Sequence, residues 1–170
     1  MSLIARERNL GTIEIINTLP IKIYEFVIGK YLASVTLIVS GLAITLVHFF
    51  TLMKVGTNID YGAAICGYVG LALVGAVYAS AGTFASSVTD NQVVSFIIAV
   101  FIVIVFWLLD KMLIFVPSGL AGLIQFMSVD YHFTNISRGV IDTRNLIYFG
   151  SVIGFFLFLT HRLMEVRKWK

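Results

Sequence analysis

The sequence predicts an all-α, polytopic membrane protein, and three observations carry that prediction. Of its 170 residues 59% are hydrophobic and only 12% charged, with a mean hydropathy of +0.96. A water-soluble domain carries roughly 25% charged residues, so this chain has too few charges to clothe a solvated surface. The apolar residues also gather into continuous blocks of membrane-spanning length, without the every-second-residue alternation of a barrel strand.

The chain opens on a polar segment, Arg6 to Thr18, that mixes Arg6, Glu7, Arg8, Asn9, Thr12, Glu14 and Asn17 with Leu10, Ile13, Ile15 and Ile16. The three charges at Arg6–Arg8 interrupt any apolar core of a cleavable signal peptide. Pro20 suits the first turn of a helix, where its missing N–H costs nothing. From there an amphipathic lead-in with Lys22, Glu25 and Lys30 runs into the first apolar block. The segment reads either as a lever pressed on from the cytoplasm or as a helix lying on lipid headgroups.

Four blocks read as spans. Tyr31–Phe50 has 20 residues, about 30 Å as a helix, the thickness of a hydrocarbon core. Ala64–Phe84, Val93–Leu109 and Leu146–Leu163 complete the set. With lead-ins and ends included, the expected membrane helices are 20–52, 63–86, 91–110 and 146–163, behind a polar segment 1–19. Thr89 and Gln92 have the spacing of a capping box at the start of the third span.

A fifth apolar stretch, Leu113–Val129, is broken by Pro117, Ser118, Gly119 and Gly122. Charge decides its status. Four spans place Arg6, Arg8, Lys22, Lys30, Arg162, Arg167, Lys168 and Lys170 on one side, against Lys54, Lys111, Arg138 and Arg144 on the other. A fifth span would level that imbalance. The positive-inside rule therefore predicts four spans, both termini in the cytoplasm, and a re-entrant or interfacial helix within an outer segment 111–145.

Candidate chemistry is sparse. In the second span Ala72, Ala76 and Ser80 form one stripe at four-residue spacing, and Gly75, Ala79 and Thr83 the stripe beside it. Small residues so spaced let helix backbones approach closely. His48, near the outer end of the first span, reads as a hydrogen-bonded structural histidine, and His132 and His161 form no metal set with it. Asp130, Asp142, Arg138 and Arg144 read as solvated surface. Cys66 stands alone, so no disulfide forms within the chain. There is no phosphate-binding G-x-x-x-x-G-K-[ST] loop, no G-x-S-x-G and no H-E-x-x-H. No nucleic-acid partner is expected; the bilayer is. Work done by this chain must draw its energy from another protein.

The pattern E-R-x-x-G-T-x-E-x-x-x-x-x-P, carried by Glu7, Arg8, Gly11, Thr12, Glu14 and Pro20, resembles the segment joining the second and third membrane helices of ABC-2 type transporter permeases. Ile28–Ala33 is similar to the start of their third helix, and Ser86–Phe96 to the turn between their fourth and fifth. Phe133–Phe149 and the tail from Leu159 resemble the gliding-motility-associated subfamily. The resemblance implies a permease subunit of an ATP-driven exporter in the inner (cytoplasmic) membrane, working as a homodimer or heterodimer. Its cytoplasmic ABC ATPase partner would hold ATP and Mg, with no cofactor in this chain. It assigns Glu7, Arg8, Gly11, Thr12 and Glu14 to a coupling helix that docks on the ATPase. It also implies short re-entrant helices before the last span. Two helices precede the motif in the family, so these 170 residues correspond to helices three to six. A membrane anchor or assembly component of a gliding or cell-envelope machine, moving no cargo itself, is the alternative.

Overall fold

The computed structural model describes residues 4–11, 22–56, 60–112, 117–140 and 142–168. Thr12, Glu14 and Pro20, like the first four residues of the Leu113–Val129 stretch, lie outside them. Seven helices form among the described residues, with no strand: α1 (Ala5–Asn9), α2 (Ile23–Val55), α3 (Tyr61–Val88), α4 (Gln92–Met112), α5 (Ser118–Met127), α6 (Val129–Ser137) and α7 (Thr143–Lys168). Four of them, α2, α3, α4 and α7, are long and apolar enough to cross a membrane. The protein is an all-α polytopic membrane protein.

Each long helix starts and stops for a local reason. The Glu25 carboxylate accepts from the Lys22 backbone N–H (3.1 Å), satisfying one free donor at the start of α2. Asp60 accepts from the Ala63 N–H (3.1 Å) at the start of α3. At α4 the side chain that accepts belongs to Asn91, from the Val93 N–H (2.9 Å), while Thr89 Oγ1 accepts from Asn91 N (3.2 Å). The cap expected at Thr89 thus falls two residues later, because the turn after α3 first closes on itself around Asn91. Gly139, at φ +88°, follows α6 in the left-handed conformation that glycine adopts without strain.

α3 is the hub, packing against α7, α4, α2 and α6. Its half nearer Val88 is buried almost continuously, through Ala76, Val77, Ser80, Ala81, Gly82, Thr83, Ala85, Ser86 and Ser87. Polar members of that run bond within their own helix: Ser80 Oγ donates to Val77 O and Thr83 Oγ1 to Ser80 O, each at 2.7 Å. Such back-bonding satisfies a hydroxyl where there is no water. The core continues through Cys66, Val129, Ile136, Tyr148 and Phe149. The outside is apolar instead: Leu37, Ile44, Ile97, Phe101 and Phe155 all stand exposed on the long helices. In water such a surface would drive aggregation; in a bilayer it carries no penalty.

Between α4 and α7 the chain forms a helical hairpin, α5–α6, bent at Ser128. α6 runs antiparallel along α3. Gly139 lies beside Gly62 and Ala63, Phe133 and Ile136 lie against Gly70, and Val129 shares a cluster with Val77. At 1.5 Å per residue, α6 rises about 12 Å from Val129 to Ser137.

Candidate functional site

The opening polar segment contributes α1, too short to persist in water without tertiary contacts. Its start is sealed: Ile4 and Ala5 are fully buried. The backbone N–H groups of both residues donate to one acceptor, Ser86 Oγ, at 2.8 Å each. Both lone pairs of a hydroxyl at the end of α3 thereby take up donors that α1 cannot satisfy internally. One turn on, the Glu7 carboxylate pairs with the Lys30 ammonium of α2. Lys30 also lies over the Phe26 ring, 5.6 Å from its centroid. α1 packs on α4 as well. One turn and a half of helix is therefore tied at once to α2, the end of α3 and α4.

Of the residues the sequence assigns to coupling, the structure joins Glu7 to the bundle and places Gly11 just beyond α1. Gly11 has φ +70°, a left-handed conformation that ends the helix. The backbone of Arg8 lies within α1, and Thr12 and Glu14 are outside the described residues. Ser86 and Lys30 carry no motif along the chain that marks them as partners of α1. They stand 82 and 23 residues from their partners, with nothing local to announce the pairing.

The small-residue stripes divide. Ala76, Ser80 and Thr83 are buried, while Ala72, Gly75 and Ala79 are half-buried. Gly75 faces α2 closely, opposite Ile38. The stripe thus lets α2 approach α3 at one point and fills the bundle interior below it.

At the other end of the bundle lies a buried polar clamp on the α5–α6 hairpin. The last carbonyls of α5 have no helical partner. His132 Nε2 reaches Phe126 O (2.9 Å), and Tyr148 OH donates to Met127 O (2.6 Å). A carbonyl can only accept, so Nε2 donates to it; Nδ1 lies 2.7 Å from the side-chain Oδ1 of Asn145. The His132 and Tyr148 rings stack, 3.9 Å between centroids and 19° apart in plane. Of the three histidines, His132 is the built-in one. His48 is exposed on α2. His161 Nδ1 lies 4.0 Å from Glu165. Among the described residues no three His, Cys, Asp or Glu side chains group to hold a metal ion.

A family model described as "ABC-2 family transporter protein" matches residues 1–159. No curated protein and no solved structure gives a significant match.

Proposed function

This chain belongs to the ABC-2 family of transporter proteins and serves as membrane-spanning permease subunit of an ABC transporter; from that premise we propose that α1 is the element through which a separate ATP-hydrolysing subunit moves the bundle. The α1 end faces the cytoplasm in this reading, supported by the eight basic residues on its side against four on the other. Glu7, Arg8, Gly11, Thr12 and Glu14 meet the ATPase, which binds ATP and Mg. The carrying observation is the double attachment of α1, by Glu7 to Lys30 of α2 and by Ile4 and Ala5 to Ser86 of α3. A load on α1 therefore reaches two membrane helices directly.

α2 is the helix best placed to respond. Of its 33 residues, all described, Val27 alone is buried. So loosely held a helix can tilt at small cost in packing, and its bare apolar face suits a pathway shared with a second permease subunit, homologous or identical. Export across the inner membrane is the direction proposed. The α5–α6 hairpin is a re-entrant element of the outer face, a reading supported by its descent alongside α3. The likeness of Phe133–Phe149 to gliding-motility-associated permeases favours a partner that uses the transporter's work at the cell envelope.

The test is a pull-down of the C-terminally tagged chain from its own membranes. A P-loop ATPase should co-purify, and Gly11→Pro or Glu14→Lys should abolish transport-coupled ATP hydrolysis while the chain still inserts. Normal coupling in both variants would remove this segment from the role.

A further inference from the structure

A cavity separate from α1 lies between α3, α4 and α6, with a volume of about 190 Å³. Three of its walls are aromatic: Tyr78, Trp107 and Phe133. Asp130 stands on the same lining, its side chain 42% exposed, and Val129 contributes to the apolar remainder. At its rim Lys111 Nζ lies 3.1 Å from Asp110 and 3.5 Å from Asp130. The nearer carboxylate takes the better share of that ammonium. Asp130 alone of the three lines the cavity, and it shares its ammonium with Asp110, so the charge on the lining itself is negative and only partly offset.

Each property narrows the occupant. An anion is opposed by that charge. A neutral apolar group would strip water from the Asp130 carboxylate and return nothing for it. An organic cation satisfies the carboxylate and turns its alkylated surface to the rings, whose π-faces attract positive charge. The volume falls below the roughly 300–1,000 Å³ of sites that enclose drug-sized molecules, so the cavity takes a headgroup and not a whole amphiphile. The geometry points to a binding site for a substituted ammonium group, held by Asp130 and caged by Tyr78, Trp107 and Phe133. The group can arrive free in solution or as the choline or ethanolamine headgroup of a phospholipid, since Trp107 and Leu71 border the cavity from lipid-exposed faces.

Trp107 reports on occupancy. The chain has two tryptophans, Trp107 and Trp169, so Trp169→Phe leaves one emitter. In delipidated, detergent-solubilised protein, choline should shift its emission saturably. The uncharged isostere 3,3-dimethylbutan-1-ol should not. Asp130→Asn should weaken choline about tenfold or more, the scale of one charge-assisted contact, and Phe133→Leu should weaken it with the charge intact. In phosphatidylcholine nanodiscs, an emission already shifted and unresponsive to choline identifies the lipid headgroup as occupant. A choline response that persists there identifies the free cation. Equal responses to choline and its neutral isostere, or no response in any setting, overturn the site. That comparison needs no substitution in the cavity and stands even if both variants misfold. It is also independent of α1, so its failure leaves the coupling proposal untouched.

Discussion

Gly75 of α3 faces Ile38 of α2 so closely that a methyl group on Gly75 would lie 2.7 Å from Ile38 Cγ2. The contacted atom sits on a β-branched carbon whose χ1 is fixed in a helix, so the side chain cannot step aside. Gly75→Ala should therefore force α2 off α3, at a cost of about 1–3 kcal/mol. Gly67, on the same helix, has open space where its Cβ would go, and Gly67→Ala should be neutral or stabilising by about 0.5–1 kcal/mol through helix propensity. Thermal unfolding in detergent compares the two. Adding Ile38→Ala should relieve Gly75→Ala, and a strictly additive double variant would mean the two side chains do not meet.

The ion pair between Glu7 and Lys30 predicts charge-swap behaviour. Glu7→Lys and Lys30→Glu alone should each loosen α1, and the double swap should re-dock it. Both side chains are about a quarter exposed, so the pair contributes at most about 1 kcal/mol. Hydrogen exchange over residues 5–9 should accelerate about two- to fivefold in the singles and recover in the double.

Ser86→Ala removes the one oxygen that accepts from both Ile4 and Ala5. Two buried N–H groups lose their partner, at about 1–3 kcal/mol each, which exceeds what so short a helix can withstand. Hydrogen exchange over residues 5–9 should rise to the rate of an open segment while the middle of α3 stays protected. Protection unchanged in α1 would show that other contacts suffice to dock it.

The clamp on the hairpin predicts graded losses. Tyr148→Phe keeps the ring stacked on His132 and deletes one donor to Met127 O, for about 1–2 kcal/mol. His132→Phe also keeps a ring and loses the bonds to Phe126 O and Asn145, so its loss should be the larger. Thermal unfolding gives the order, and a His132→Phe protein as stable as the parent would mean the hairpin is held by apolar packing alone.

Much of the fold was legible because a bilayer imposes a coarse, one-dimensional rule. A run of some 20 apolar residues has one economical structure in hydrocarbon, and charge placement separated four spans from the broken stretch around Pro117. Where the rule is local it also fails locally: Asn91, not Thr89, caps α4, because capping depends on which side chain the turn presents. Asp130 reads as surface along the chain and is 42% exposed; what the chain does not announce is that α6 also lays it on a cavity wall shared with Trp107.

Composition and run length alone mark an all-α membrane protein, four stretches long and apolar enough to cross, and a polar segment ahead of the first, because they act residue by residue. It takes the folded bundle to bring Ser86 and Lys30 to α1, His132 and Tyr148 to the end of α5, and Ile38 against Gly75. Those are relations between positions 6 to 82 residues apart. Hydrogen bonding and close packing recognise geometry, and nothing in the spacing of residues along a chain records which distant side chains the bundle will bring within 3 Å.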